Sequence, residues 1–540
     1  MLLDEILIQI GEYGPLQRRI SMLMSIVVIP VAMHIFAPVF QSAESEHWCS
    51  TKDYDFDFNC TSIELDNKQC IEFIKNVTIP SSVNKKGKVV YEQCQRYNLT
   101  GVEIRQSEMK EMNVSQTQGC DAGWEFDRSQ YKTTTVQDFN LVCDRKNFIN
   151  YANSAYFAGF LVGAFFFGNL SDRIGRYYAY FICIGLWTVV SIIAAFAHNF
   201  VTFAILRFFI GATNMAHLMA YIVFTEIVGP SKRPMAGNVI WLFFAVGYML
   251  IAILAYFIRE WRHLQLVISV PLVLFFLLVP VLCESPRWLI SMGRYEKAEK
   301  ILRKAATENK AELPEKLFDE HEHIQMQTEK AEKGTPMDLF RTPNLRCKTL
   351  NLFYNWFVNN MVYYGLSLST SGLGVNAYLA AFVSGAVEIP AYLSCWFILD
   401  RFGRRLPIST YLFVAGVACI ISTFVPPGVG RTIVAMIGKF AVTASFSVVY
   451  IFSGEIYPTP VRSIGMGMSS MCARISGIIA PFILILGNYW EQLPFVIFGV
   501  NSIIAGLLAL LLPETHGMSL PETLVEGDAF DSKYRCTVLD

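Results

Sequence analysis

Six ionisable residues lie inside long apolar runs of this chain: His34, Arg207, His217, Glu388, Lys439 and Arg474. A charge at the centre of a bilayer costs about 2.5–3.5 kcal/mol on insertion scales, so such residues are rarely idle. Arg207 reads as one member of a structural ion pair. Lys439 and Arg474 have no acidic residue near them in their own runs, and Glu388 lies beside Ile389-Pro390, where a helix is expected to kink. Trp356 and Tyr363 are seven apart and share one helix face, although aromatics in membrane helices equally serve as packing. An ammonium group is held by aromatic faces near a carboxylate, which Trp356, Tyr363 and Glu388 can supply. Arg474 and Lys439 can take a carboxylate or another anion. Glu388 and Arg474 are therefore expected to line a path for a small organic ion.

The elements that must position these residues are membrane helices. The 540 residues are 53% hydrophobic and 16% charged, against about 25% charged in soluble domains. The charge concentrates in 41–147, 284–348 and the tail after Pro513. Apolar runs long enough to span a bilayer fall near 20–40, 148–168, 177–197, 200–226, 236–257, 264–283, 349–369, 377–399, 407–425, 431–453, 464–487 and 493–512. Residues 1–18 carry Asp4, Glu5 and Glu12 and do not read as a cleavable signal peptide; the first run reads as a signal anchor. The net charge of −1 and the lack of a basic patch point away from nucleic acid.

Lys and Arg in the short loops set the orientation. With the N-terminus inside, Arg173, Arg176, Lys232, Arg233, Arg401, Arg404, Arg405 and Arg462 are cytoplasmic, against Arg259, Arg262 and Arg431 outside. The 41–147 block is then extracellular. It holds Cys49, Cys60, Cys70, Cys94, Cys120 and Cys143 among glycosylation sequons at Asn59, Asn76, Asn98 and Asn113, which reads as a disulfide-stapled domain whose pairing stays open. A fifth sequon, Asn169, sits among arginines and reads as a chance match.

The two halves repeat. Asp172-Arg173-Ile174-Gly175-Arg176 returns 228 positions on as Asp400-Arg401-Phe402-Gly403-Arg404. Glu226 returns as Glu455, Arg233 as Arg462, and Glu284-Ser285-Pro286 is answered by Pro513-Glu514-Thr515. The expected fold is all-α: twelve transmembrane helices in two six-helix pseudo-repeats, with substrate between the halves. Its segments are an N-terminus at 1–19, a first half at 20–283 including the loop 41–147, a linker at 284–348, a second half at 349–512 and a tail at 513–540. Arginine turns can dock carboxylates and carbonyls at helix ends. Asp172, Arg173, Arg176, Glu226, Arg233, Asp400, Arg401, Arg404, Glu455 and Arg462 are expected to form a cytoplasmic gate that closes in one state and breaks in the other.

The sequence resembles the organic cation/anion/zwitterion transporter family of the major facilitator superfamily. The resemblance rests on Trp124-Glu-Phe-Asp, Phe139-Asn-Leu-Val-Cys143-Asp-Arg145, Gly168 to Arg176, Glu284-Ser-Pro-Arg-Trp-Leu289, Gly454-Glu455-Ile-Tyr-Pro458-Thr-Pro-Val-Arg462 and Leu512-Pro-Glu-Thr515. It runs from Gly11 to about residue 525. It implies a multi-pass, glycosylated plasma-membrane carrier of organic ions with both termini cytoplasmic. The second half looks most like the carnitine/zwitterion branch, in Tyr364-Gly-Leu-Ser-Leu-Ser, Val387-Glu388-Ile-Pro-Ala-Tyr392, Val425-Pro-Pro427 and Gly438-Lys439 to Phe446-Ser447. Cation-selective members carry an aspartate where this chain reads Cys472-Ala473-Arg474. Carnitine-type members carry asparagines where it reads Pro30-Val31-Ala32-Met33-His34. By resemblance the substrate cavity comprises Trp356, Tyr363, Glu388, Lys439, Phe446, Ser447 and Arg474; His34, an ionisable residue of the first span, joins it as a candidate.

No G-x-x-x-x-G-K-[ST] is present, which argues against a primary pump. Neither H-E-x-x-H nor a Ser/His/Asp arrangement falls within the spans, so a membrane-embedded enzyme is disfavoured, and a receptor would not need a repeated gate. The run Asp319-Glu320-His321-Glu322-His323 reads as a solvated helix face, and no metal or cofactor is expected. Sodium or proton coupling and the oligomeric state stay open. The leading reading is an alternating-access carrier of organic cations or zwitterions such as carnitine-like betaines. An organic anion exchanger is the runner-up, favoured by Arg474 and Lys439 but weakened by Glu388; a cation uniporter is weakened by Arg474.

Overall fold

A computed structural model describes residues 3–54, 67–83, 89–99, 116–314, 317–318, 334–518 and 520–530. Asn59, Cys60, Asn113, the Cys70 side chain and the run Asp319 to His323 lie outside the described residues. The chain forms two compact units: Met1–Val39, Asn150–Ile258 and Arg262–Asp540 make one, Phe40–Ile149 with Arg259–Trp261 the other.

The larger unit is helical. Its first half contains α1 (Leu3–Gln9), α2 (Pro15–Ile26), α3 (Val28–Phe36), α4 (Phe148–Ile174), α5 (Arg176–Ala194), α6 (Phe200–Thr213), α7 (Ala216–Ile227), α8 (Arg233–Phe257) and α9 (Trp261–Ser269). After α10 (Pro286–Ser291) and α11 (Tyr295–Asn309) come α12 (Pro343–Leu368), α13 (Ala377–Phe402), α14 (Arg405–Phe424), α15 (Val429–Ile456), α16 (Thr459–Ile485), α17 (Leu493–Ala509) and a short α18 (Leu524–Ala529). Among the described residues, ten helical stretches are long and apolar enough to cross a membrane; α17 is shorter and apolar. With α12 they make twelve. In α12, Asn351, Asn355, Asn359 and Asn360 dilute the hydropathy, and all four are buried. Asn355 and Asn359 donate to the carbonyls one turn back at 3.0 and 2.9 Å, and Asn351 donates to the Leu508 carbonyl at 2.6 Å. Carbonyls of the protein thus take the amide N–H donors that lipid could not.

Several expected spans shift. The sixth, expected at 264–283, is α9 followed by a 3₁₀ stretch over Val270–Leu278, because Pro271 lacks the N–H a continuing α-helix needs. The second and fourth spans of the later half run past the membrane-length core to Phe402 and Ile456. Within the first half, α4 and α6 cross at contact distance through Gly159 and Gly163, four residues apart. A Cβ at Gly159 would sit 1.8 Å from the Phe208 carbonyl oxygen, and one at Gly163 2.1 Å from that of Ala212.

The repeat seen in sequence has the same chemistry in both halves. Gly175 (φ 104°) and Gly403 (φ 78°) make the turns, with no room for a Cβ because Glu284 and Glu514 press against them. The Glu284 carboxylate accepts from the Arg176 N–H at 2.9 Å, and that of Glu514 from the Arg404 N–H at 2.8 Å. Each carboxylate thereby caps the positive end of the following helix. Burial alone would raise the Glu514 pKa, but N–H groups of Arg404, His516, Arg405 and Thr515 hold it below the usual range. A depressed carboxyl pKa contributes stability at neutral pH that is lost as pH falls through the folded value.

The smaller unit holds three antiparallel pairs: β1 (His47–Cys49) with β6 (Trp124–Phe126), β2 (Ser81–Val83) with β3 (Val89–Tyr91), and β4 (Gln95–Tyr97) with β5 (Thr117–Gly119). Strands of three residues bury little, so covalent links must help. Cys49 bonds Cys120 and Cys94 bonds Cys143. Arg96, 1% exposed, holds Asp53 through its two terminal guanidinium nitrogens at 2.5 Å and the Ser50 carbonyl at 2.8 Å. Asn76 and Asn98 are exposed. Cross-linking across the 71 residues between Cys49 and Cys120 is worth about 4 kcal/mol in the chain-entropy account. The Cys49→Ser/Cys120→Ser chain is therefore expected to reach the cell surface at a small fraction of the wild-type level, as surface biotinylation would measure.

Candidate functional site

A cavity of about 760 Å³ separates the two halves of the larger unit. At one end lie Arg233, Arg404, Glu455, Arg462 and Thr515, the residues of the arginine turns. At its inner end lie Arg474 (α16), Ser447 and Tyr450 (α15), His217 and Tyr221 (α7) and Trp241 (α8). The cavity therefore opens toward the arginine-bearing end.

The other end is shut by aromatics. Phe36 stacks on Tyr248 at 3.7 Å between centroids, Phe157 meets Tyr364 edge-on at 4.6 Å, and Tyr363 lies over Phe446 at 6.0 Å. Polar contacts join the halves here: the Tyr248 hydroxyl donates to the Ser367 carbonyl at 3.3 Å, and the Ser154 hydroxyl to the Ile478 carbonyl at 2.9 Å. Gly385 of α13 approaches α8 so closely that a Cβ there would sit 3.0 Å from the Met249 N.

The expected site residues separate into two groups. Arg474 and Ser447 line the cavity. Trp356, Tyr363, Glu388, Lys439 and Phe446 form a layer that lines no part of it. There Lys439 and Glu388 make an ion pair at 2.9 Å, with side chains 1% and 0% exposed. Tyr363 donates to Glu388 at 2.6 Å, Lys439 to the Ser367 hydroxyl at 2.5 Å, and the Lys439 ammonium sits 3.2 Å from the Tyr363 ring centre. The second Glu388 oxygen has no hydrogen-bond partner within bonding distance among the described residues. Trp356 donates to the Ser453 hydroxyl at 2.8 Å and packs on Tyr450 at 4.2 Å.

Arg474 is placed differently. Its guanidinium donates to the Ser470 hydroxyl at 2.6 Å and stands 5.1 Å from the Phe160 ring. Among the described residues its Nε is buried without a hydrogen-bond partner and no carboxylate pairs with it. Among the described residues, the inner end of the cavity thus carries a positive charge without a carboxylate partner, walled by Tyr221, Trp241 and Tyr450.

His34 stands apart from both groups. One ring nitrogen faces the Pro30 carbonyl at 3.0 Å, the other the Ser269 hydroxyl at 3.3 Å, and the ring packs edge-on against Trp187 at 5.0 Å. Arg207 has no carboxylate partner among the described residues, contrary to the ion pair its sequence suggests. It donates to the His34 carbonyl at 3.2 Å and lies 4.5 Å from the Tyr156 ring centre; carbonyl and ring supply the compensation a carboxylate would otherwise give.

The turn residues bond within each half, not between halves. Arg176 meets Asp172 at 2.7 Å and Glu226 at 3.6 Å; Arg404 meets Glu455 at 3.1 Å. Arg233 pairs with Asp4 of α1 at 2.7 Å, and Arg462 donates to the Tyr457 carbonyl at 3.0 Å. Arg173, Asp400 and Arg401 are exposed. These bonds tie neighbouring helix ends together within each half. Arg176→Gln is therefore expected to lower maximal uptake about tenfold, a shift of ~1.4 kcal/mol between states, with apparent affinity little changed because Arg176 lies outside the cavity. Arg173→Gln should stay near wild type. Surface-normalised initial rates over a concentration series would check both.

Sequence reasoning missed Tyr221, Trp241, Tyr450 and Ser470. Two of them carried a signal in their spacing: Ser470 lies four residues before Arg474, and Tyr450 three after Ser447, each one helical turn away.

Residues 114–525 match the family model described as sugar (and other) transporter. The chain is 39% identical to the organic cation transporter protein of Drosophila melanogaster, over 98% of this chain and 95% of that one. It is 35% identical to organic cation/carnitine transporter 2 of Homo sapiens, over 96% and 93%. Among solved structures, the inward-open xylose transporter of E. coli superposes with a TM-score of 0.58 at 18% identity, covering 73% of this chain and 93% of that chain. The proton:xylose symporter bound to a bromo-deoxyglucose gives 0.55 at 20%, covering 70% and 88%. At such identity the two structures speak for the fold alone.

Proposed function

Because this chain belongs to the sugar (and other) transporter family, within its organic cation and carnitine transporter group, and is a multi-pass transporter of that fold, we propose that its substrate is a small organic zwitterion bearing a carboxylate. The observation that carries the reading is Arg474: a cation at the inner end of the cavity with no carboxylate partner among the described residues. Arg474 takes the carboxylate through charge-assisted bonds. The faces of Tyr221, Trp241 and Tyr450 suit an ammonium group at the other end. Glu388 is neutralised by Lys439 in this state, which leaves the aromatic walls as the cation's main contacts. The human relative is named for carnitine, a zwitterion of this kind. The same cation favours a second reading, an organic anion carrier.

The arginine turns set the arginine-bearing end in the cytoplasm by the positive-inside rule, with both termini there, the cysteine-bearing unit outside, and the protein in the plasma membrane with glycans on its sequons. The state described is then the one open to the cytoplasm. Purified chain in proteoliposomes should take up a labelled betaine saturably without ATP. Flux that never rises above that of empty vesicles would overturn the carrier reading for this substrate class.

A further inference from the structure

We propose that the cysteine-bearing unit carries a thiol-gated zinc site made of His47, Cys94 and Cys143. One ligand atom from each residue falls within 4.8 Å of the others. They border a cleft of about 310 Å³ whose wall includes Glu44, Gln93 and Lys146. With the disulfide closed, the sulfurs have no free thiolate to offer. With it open, two thiolates face one imidazole.

The imidazole is already set for a metal. Its Nδ1 lies 3.1 Å from the Ser45 carbonyl oxygen, and a carbonyl only accepts, so Nδ1 carries the proton. That leaves the Nε2 lone pair free, and Nε2 is buried with no hydrogen-bond partner among the described residues. A backbone carbonyl holding the far N–H is how ligating histidines are commonly oriented. Strand pairing of His47 with Phe126 and ring contact at 5.9 Å fix the side chain's direction.

The gate is the disulfide. Cys94 is exposed and Cys143 partly so, which allows a thiol to reach the bond. Two equivalents of an external monothiol are oxidised to their disulfide, and Cys94 and Cys143 each gain one electron and one proton. Zinc then displaces those two protons and binds two thiolates and Nε2 in a tetrahedron with Zn–S near ~2.3 Å, leaving the fourth position to water. Lys146 already occupies Glu44, at 3.0 Å, so that carboxylate is committed elsewhere. Soft sulfur ligands select zinc over calcium or magnesium.

The test uses the full chain and cobalt(II), whose thiolate charge-transfer band reports sulfur ligation. Chain reduced with a water-soluble phosphine should bind cobalt with that band and release it to zinc; unreduced chain should show neither. His47→Gln should weaken binding at least about tenfold, the scale of losing one ligand or its support. Reduction also opens Cys49–Cys120, so a second chain, Cys94→His/Cys143→Asp, removes the need for reductant. It should bind zinc by calorimetry without treatment, and adding His47→Gln should abolish this. Equal binding by reduced wild type and His47→Gln, or no binding by either the reduced or the substituted chain, overturns the site. Binding by the substituted chain alone overturns the thiol gating.

Discussion

Arg474→Asp is expected to reverse the charge preference of transport. The wild-type cation meets a substrate carboxylate through charge-assisted bonds worth about 1.5–3 kcal/mol, so its loss should cut uptake of carboxylate-bearing substrates roughly 10- to 150-fold. Aspartate in its place repels such substrates and offers an ammonium its missing counter-charge. Arg474→Gln should show the loss without the gain of cations. Folding should be little affected, because among the described residues no carboxylate is stranded when Arg474 goes, and its hydrogen bond there is to the Ser470 hydroxyl. Surface biotinylation alongside uptake of a labelled betaine, an organic anion and an organic cation would measure this. Equal depression of all three classes by Arg474→Gln at normal surface level would make Arg474 structural.

Glu388 and Lys439 should behave in the opposite way. Their ion pair is fully buried, and removing one partner leaves an uncompensated charge at a cost on the order of 3–5 kcal/mol. Glu388→Gln or Lys439→Met alone should thus lose most surface protein and depress every substrate class together. The double change Glu388→Gln/Lys439→Met strands no charge and should restore surface level to near wild type, since replacing both members of a buried pair is often neutral. If the double variant is as poor as the worse single one, the pair does not account for the loss.

Much of this was legible in the chain, and the boundary has physical reasons. The repeated turn was readable because its chemistry is local: glycine at the bend, arginine after it, and a carboxylate that must cap the next helix. Within the turn the sequence did not distinguish Arg173 from Arg176, although the Asp172–Arg176 spacing of four is that of neighbours on one helix face. The pairing of Glu388 with Lys439 was hidden because it joins α13 to α15, which no spacing along the chain reports. Lys439, with no acid nearby in its own helix, looked available to substrate and is instead Glu388's counter-ion. The asparagines of α12 lower the hydropathy of its run, and their N–H donors are met by carbonyls one turn back or on α17, which composition does not report. Cys49–Cys120 and Cys94–Cys143 could not be chosen from composition, since any two cysteines in such a loop are close enough in the unfolded chain.

The central claim is that an uncompensated cavity cation reads a substrate carboxylate. A competition panel tests it most directly. Uptake of one labelled betaine is measured against an unlabelled zwitterion, an anion carrying the same carboxylate, and the matching cation with that carboxylate esterified. The account predicts strong inhibition by the zwitterion, intermediate inhibition by the anion and weak inhibition by the ester, with the carboxylate-dependent difference lost in Arg474→Gln. An ester that competes as well as the zwitterion, in wild type and variant alike, would contradict it.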